Sequence, residues 1–551
     1  MKKATPILLS TLVAVSVFIP SGGQTMTNAK GHSEPAHYWD EPGRMLPILI
    51  PSSARMAGMK QSALDDIDQA IGQYIESGLT PGAVTFVARS GHIVQRDAYG
   101  YSAVYTDDKF TEMDKPIVMK TDTIFDVASI SKLFTTTAVM MLYEQGFFQL
   151  DDPVAMHLPE FSAKGKEDIT IRQLLTHTSG FAAGKALYAE EGTRESRIQS
   201  VLGHGLINEP GTTYLYSDLN MITLGALVEK WSGLRQDEFV KKAITEPLGM
   251  KDTMYNPPAN LKQRIAATEY QPKIGRGLVW GEVHDENAWS LDGVAGHAGV
   301  FSTAKDLAIL THAYLNDGKY GKMRILKKKT IDLIMKNYNT AFPGNDHGLG
   351  FELNQGWYMD SLADTFSAGH TGYTGTALVM SPSNQTIAIV LTNRVHPTRN
   401  TPSINPIRRS FAREVGDSIP VKVKKGSHTW FAGYGDQLHH TLTAKVNLKE
   451  KAELSFSTWF RIEEGSDNGY VEISSDGKTY TSVKQFTGKS DDWEKEKIQI
   501  PAGTKSIRFS YKTDASVNGR GWYVQDARLK GKHGKKQPLT FEADGFERRN
   551  D

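Results

Sequence analysis

The sequence contains no cysteine. That excludes a disulfide scaffold, a thiolate zinc site, a Cys nucleophile and an acylated amino-terminal Cys anchor. It has no surplus of charge of either sign: Lys plus Arg is 63, Asp plus Glu is 62, and the formal net charge is +1. A general nucleic-acid binder shows a clear basic excess, so that class falls away. Long hydrophobic runs are missing too. The most apolar stretch, Pro6 to Pro20, is shorter than the ~20 residues that span a bilayer. What is present suffices for real cores: 39% hydrophobic and 9% aromatic residues exclude wholesale disorder. At 551 residues the chain exceeds one domain of about 100–200 residues, so two or three pieces are expected.

Met1-Lys2-Lys3 is a basic head, followed by the apolar PILLSTLVAVSVFIP and the small, polar SGGQTMTNAKG. The pattern predicts a signal peptide over 1–25, with an uncleaved anchor as the alternative. The expected product is exported, secreted or associated with a bacterial cell wall, with no transmembrane anchor after processing. Residues 26–61 are polar, contain Pro and lack a period, and read as a linker or surface wrap. From Ser62 the pattern changes. Leu64, Ile67, Ile71 and Ile75 stand at helical spacing and stop at Gly78. GAVTFVARSGHIVQRDAYGY then reads as two strands about Ser90-Gly91, and TGTALVMSPSNQTIAIVLTN as a hairpin turning at Pro382-Ser383-Asn384. Hairpins among long helical stretches predict an α/β domain over 62–418 with an antiparallel sheet. After Ile419-Pro420 the helical period is lost. Short alternating segments such as LSFSTWFRI, SIRFSYK and WYVQDARL predict an all-β sandwich over 421–551.

Three short motifs carry chemistry. Ser129-Ile130-Ser131-Lys132 precedes the helical LFTTTAVMMLYEQG, which places Ser129 at the helix's first turn and Lys132 one turn on, on the same face. The positive helix end favours negative charge on the Ser oxygen, and with burial it is expected to depress the Lys132 pKa and expose a neutral amine. Taken alone, S-x-x-K also describes a Ser-capped helix with a solvated Lys. Tyr216-Ser217-Asp218 follows a Pro210-Gly211 turn. Tyr216 could relay a proton beside Lys132, and Asp218 could equally be a helix N-cap. His370-Thr371-Gly372 opens a strand whose Gly372 permits close approach of a substrate carbonyl to backbone N–H groups.

Together, in that order and spaced by about 85 and 155 residues, these motifs resemble the serine β-lactamase and penicillin-binding-protein superfamily, specifically its class C β-lactamase and D-alanyl-D-alanine carboxypeptidase-like branch. Phe125-Asp126-Val127-Ala128, Leu150-Asp151-Asp152-Pro153, Leu174 to Gly180 (LLTHTSG) and Ala295 to Gly299 (AGHAG) add to the likeness, which covers roughly 62–415. The resemblance implies a β-lactamase/transpeptidase-like antiparallel sheet with flanking helices and a helical subdomain. It implies Ser129 as the acylated nucleophile, with Lys132 and Tyr216 sharing acid–base duty. The N–H groups of Ser129 and Tyr373 would form the oxyanion hole, and Asp218, His370, Thr371 and Gly372 would face the substrate. Two positions depart from the family pattern: Asp218 stands where Asn is usual and His370 where Lys is usual. His370 would be only partly charged near neutrality, which weakens the case for a potent β-lactamase. VHDENA and AGHAG also resemble penicillin-binding-protein 4b-like and muropeptide amidase-like proteins. The implied activity is a carboxypeptidase-like serine hydrolase acting on peptidoglycan peptides without a cofactor. An esterase, a muropeptide amidase or a weak β-lactamase are alternatives of the same chemistry, and a non-turnover penicillin-binding or wall-binding protein is an alternative of another class.

Other residues read as structural. His284-Asp285 and His297 lack tight metal-ligand spacing, and no metal site is expected. His177 reads as a buried turn residue, His439-His440 as exposed, and Trp280 and Trp289 as core or cleft wall. The tail 428–531 resembles the immune-inhibitor-A-like β-sandwich of secreted metalloproteases, which implies possible glycan or cell-wall contact. Its Glu463, Glu464, Asp467 and Asp526 suit calcium in type but read more simply as a solvated acidic loop.

Overall fold

The computed structural model describes residues 42–550 except 425, 491, 532, 533 and 535. The expected signal peptide, 1–25, and the first part of the expected linker lie outside the described residues. No described helix is long and apolar enough to cross a membrane.

The larger region is built on one eight-stranded sheet. Its strands, in chain order, are β1 (Ile50–Pro51), β2 (Gly82–Arg89), β3 (His92–Tyr105), β4 (Glu112–Val118), β5 (Glu352–Leu353), β6 (Ala368–Thr371), β7 (Ala377–Ser381) and β8 (Thr386–Thr392). The spatial order is β1-β3-β2-β8-β7-β6-β5, with β4 on β3. All pairings are antiparallel except β1 with β3. The expected linker therefore contributes an edge strand, and Leu49, Ala54, Ala57 and Met59 are buried.

The central strands β2 and β8 are buried along their whole length. Period-two alternation sends Val84, Phe86, Ile387 and Ile389 to one face and Ala83, Val87, Ala388 and Val390 to the other, and each face carries its own core. The first core holds the helical subdomain: α2 (Ser131–Glu144), α3 (Asp218–Ser232) and α4 (Ala304–Leu315). Nearly every side chain of α2 is buried, the mark of a central helix. On the other face lie α1 (Gln61–Glu76), with Leu64, Ile67 and Ile71 inward as their spacing predicts, and α5 (Asn405–Asp417).

The tail is a two-sheet sandwich. Its main strands are β9 (Thr429–Phe431), β10 (His439–Lys445), β11 (Ala452–Arg461), β12 (Asn468–Ser474), β13 (Thr481–Phe486), β14 (Glu494–Ile500), β15 (Ser506–Lys512) and β16 (Gly521–Gly531). One sheet runs β14-β11-β16-β9 and the other β13-β12-β15-β10, around a core of Leu454, Phe456, Phe509 and Trp522. The sandwich is seated on the larger region. Phe431, Trp459 and Tyr523 share a buried cluster with Phe411, Val415, Ile419 and Val421. At about 1.5–3 kcal/mol per buried large side chain, these three aromatics alone hold the seat by several kcal/mol. Asp417, at the end of α5, pairs with Lys60 at 3.4 Å, Arg520 at 3.3 Å and Arg549. Arg461 also donates to the Ser361 carbonyl at 2.7 Å.

Candidate active site

Phe125-Asp126 pairs with Val300–Ser302, which brings the chain to the front of α2. The buried Asp126 accepts the Ala128 N–H at 2.8 Å and the His284 N–H at 2.6 Å. These bonds hold Ala128 at φ +46°, an unfavourable value for a residue with a Cβ. A 3-10 turn over Ala128–Ile130 then presents Ser129 and runs directly into α2.

Lys132 is 0% exposed. Its Nζ donates to Ser129 Oγ at 2.8 Å and to the His297 carbonyl at 3.3 Å, and ion-pairs with Asp218 Oδ1 at 2.8 Å. It also lies 4.7 Å from the centre of the Tyr216 ring. The expected nucleophile, Ser129, and the two residues expected to share acid–base duty, Lys132 and Tyr216, are thus brought together. Their proton inventory differs from the expectation. Burial pulls the Lys132 pKa down, but the charge of Asp218 and the hydrogen bond to it outweigh that, and the ammonium form is held above its ordinary range. Burial also pushes the Tyr216 phenol up to about 12 against the pull of Lys132. At rest both groups carry their protons. The expected depression of Lys132 is overturned by a carboxylate 86 positions away in sequence. Asp218 is the first residue of α3, whose N-cap is Ser217. Its carboxylate turns to Lys132, and Asp218 is not among the residues lining the pocket.

Ser129 opens onto a pocket of about 320 Å³ whose wall includes Tyr214, Tyr216, Glu352, His370, Gly372 and Arg408. The motif at the end of β6 is stitched to the turn that presents Ser129. Thr374 Oγ1 donates to the Asp126 carbonyl at 2.7 Å, and Thr376 Oγ1 to the Val127 carbonyl at 3.2 Å. A Cβ on Gly372 would lie 2.4 Å from the Val127 carbonyl oxygen, so only glycine allows this approach. The Gly372 N–H is spent on the Thr376 carbonyl, whereas the next N–H, that of Tyr373, has no acceptor among the described residues. The Tyr373 ring is 49% exposed at the rim, with Arg394 5.0 Å from its centre.

His370 is buried, and its Nδ1 contacts the Thr371 carbonyl at 2.7 Å. Burial and Lys132 press its pKa down to about 3, so it is neutral, not partly charged as its ordinary pKa suggests. His177 and His347 are likewise held neutral by burial.

Several residues around the site carry no sequence signal. Arg408, on α5, donates to the carbonyls of Gly372 at 2.7 Å and Thr376 at 3.0 Å and so shapes the third motif from behind. Glu352, on β5, lines the pocket, and burial pushes its carboxyl up to about 7. Arg394 donates to the Tyr373 carbonyl at 3.3 Å and to Thr401 at 3.1 Å. All three are distant in sequence from every motif. His284 and His297 pair with Glu269 at 2.9 Å and Asp285 at 2.8 Å, as structural supports. Trp280 packs against the core, and neither it nor Trp289 lines the pocket.

The β-lactamase family pattern matches residues 67–413, well over half the chain. The chain belongs to the β-lactamase family. It is 32% identical over 454 residues to an N-acetylmuramyl-L-alanine amidase of Bacillus subtilis, covering 76% of this chain and 97% of that one. It is 32% identical over 394 residues to an Escherichia coli protein bearing the name of a D-alanyl-D-alanine carboxypeptidase, covering 65% of this chain and 89% of that one. Among solved structures, a penicillin-binding-protein homologue from Caulobacter crescentus superimposes with a TM-score of 0.51 at 19% identity, over 65% of this chain and 99% of that one. That likeness concerns the fold alone. The protein is accordingly a hydrolase of the serine β-lactamase fold, with an all-β module added at its carboxy-terminal end.

Proposed function

We propose that the protein hydrolyses amide bonds in peptidoglycan-derived peptides through an acyl-enzyme on Ser129, with removal of a terminal D-alanine as the leading reaction. The observation that carries this reading is the 2.8 Å contact between Ser129 Oγ and Lys132 Nζ, opening onto a pocket with an unspent N–H at Tyr373. In molecules whose Lys132 amine is neutral, Nζ takes the Ser129 proton as Oγ bonds to the scissile carbonyl carbon. The carbonyl electron pair moves onto oxygen, facing the Tyr373 N–H. Collapse expels the leaving amine, which receives a proton from Lys132 by way of Tyr216, and water repeats the sequence on the ester. Asp218 keeps the neutral amine scarce near neutrality, so turnover climbs with pH. Arg394 is the cation at the pocket wall suited to a substrate's terminal carboxylate.

A second reading, cleavage of the bond between sugar lactyl group and peptide, draws support from His370. Neutral and buried, it gives the third motif no fixed charge for a carboxylate beside the scissile bond. The near-complete coverage of the Bacillus subtilis amidase points the same way.

Export belongs to the same proposal, because peptidoglycan lies outside the cytoplasm and 1–25 carry the features of a signal peptide. Cell fractionation with amino-terminal sequencing tests it. Contact between the sandwich and the wall would keep the enzyme near an insoluble substrate. The deciding experiment is mass spectrometry of products from defined muropeptides, with Ser129→Ala as control. Loss of one alanine supports the carboxypeptidase reaction, and release of the intact peptide from the sugar supports the amidase. Acylation of Ser129 without either product would move the protein to the non-turnover class.

A further inference from the structure

The sandwich holds a group of carboxylates that the catalytic site does not use. Glu463 and Asp467 stand on the loop between β11 and β12, and Asp514 on the loop after β15. One oxygen from each lies within 4.8 Å of the other two. Asp467 is 0% exposed, and its Oδ2 has no hydrogen-bond partner; the buried Glu463 Oε2 has none either. The Asp467 Oδ1 accepts the Asp514 N–H at 3.2 Å, which ties the two loops together at the group. No ion pair joins these three residues to any described Lys, Arg or His. Glu463 is half-buried and Asp514 exposed, but the Asp467 carboxylate is fully buried beside them. Such a charge is costly without a partner, and proteins resolve it by pairing, by protonation or by a metal ion. The set differs from the one the sequence singles out. Glu464 is exposed, and Asp526 lies elsewhere, accepting the His428 N–H. Asp514 takes their place, and the loop, otherwise open to solvent, holds one fully buried carboxylate, Asp467.

We infer that Glu463, Asp467 and Asp514 bind one Ca²⁺ ion. Carboxylate oxygens from two loops suit a large hard cation of flexible geometry better than Mg²⁺, which demands a tight octahedron.

The ion would act on the seat between sandwich and catalytic region. The Asp514 loop carries Val517 at φ +56°, an outlier for a β-branched residue, packed so that a Cβ on Gly356 would lie 2.6 Å from its Cγ1. The same loop carries Asn518, which donates to Asp436 Oδ1 at 2.6 Å, and Asp436 pairs with Arg409 of α5 at 2.7 Å. Gly356 lies between Glu352 and His370, both in the pocket wall. Ca²⁺ bridging Asp514 to Asp467 thus braces a strained loop against the segment that leads into the third motif.

The test is thermal unfolding of the full chain after EDTA treatment, read with titration calorimetry. Ca²⁺ at about a hundred times its Kd is expected to raise the unfolding midpoint by about 2–3 °C with one ion bound, and Mg²⁺ at the same concentration is expected to leave the midpoint unchanged. Asp514→Asn is expected to lose the response. Asp467→Asn, which removes an uncompensated charge and keeps its hydrogen bond, is expected to match or exceed the parent in EDTA and to ignore Ca²⁺. A stripped parent indifferent to Ca²⁺ would mean that Asp467 is simply protonated, and would overturn the inference. So would an unchanged response in Asp514→Asn, an equal response to Mg²⁺, or a loss of stability in Asp467→Asn that is the same with and without Ca²⁺.

Discussion

The replacement Asp218→Asn isolates the group that sets the proton state of the site. Asn keeps the shape and the start of α3 and removes only the charge 2.8 Å from Lys132 Nζ. At an effective dielectric of about 20, a unit charge at that distance is worth about 6 kcal/mol, or about 4 pKa units. The Asp218 side chain is 30% exposed, so solvent screens the pair, and a fall of about 2 units in the Lys132 pKa is the working figure. The sign is definite: Lys132 is held above its ordinary value, and removal of its anionic partner lowers it. If the neutral amine is the base, log kcat/KM for a nitrophenyl ester rises with unit slope toward alkaline pH. In the variant that limb moves about 2 units toward acid, which on the rising limb is about a 100-fold gain at fixed pH. A variant whose limb stays in place while its activity falls would refute the reasoning and make Asp218 itself a required proton acceptor.

Three other outcomes follow from local chemistry. Glu352 holds its proton to about pH 7 in the folded chain, against an ordinary value of 4.5. The stability it contributes is complete below pH 4.5 and lost by pH 7, so Glu352→Gln should stabilise at pH 8 relative to pH 5 by about 2–3 kcal/mol in chemical denaturation. Ala128→Gly relieves a positive φ and should gain about 1 kcal/mol of stability, read the same way. Asp417→Ala strips the common partner from Lys60, Arg520 and Arg549 and should cost about 3–5 kcal/mol. Because the sandwich and the catalytic sheet share a core, calorimetry should show one transition lowered as a whole, not an early melting of the sandwich alone.

Much of the site was legible because its key relation is local. Ser129 and Lys132 are three residues apart at a helix start, and helical geometry alone brings their side chains together. Tyr216 and the third motif were placed by family likeness, and the fold joins them to Ser129 in one pocket. The charge state of Lys132 was not legible, since it depends on Asp218 and on complete burial, both products of tertiary packing. Arg408 and Glu352 escaped for the same reason: nothing in NPIRRSF or GFELNQ marks one residue as the brace of a distant turn and another as pocket wall. The two-region architecture was readable from the switch between helical and alternating periods. The shared core was not, because Phe431, Trp459 and Tyr523 look like ordinary inward residues of a sandwich.

The central claim is a covalent acyl group on one hydroxyl. It is met most directly by incubating the protein with a penicillin or an activated ester, quenching in acid, digesting, and locating the adduct by tandem mass spectrometry. The account predicts one acyl group on Ser129, absent in Ser129→Ala together with all ester turnover. An adduct at another residue, or undiminished hydrolysis by the Ser129→Ala protein, would contradict it.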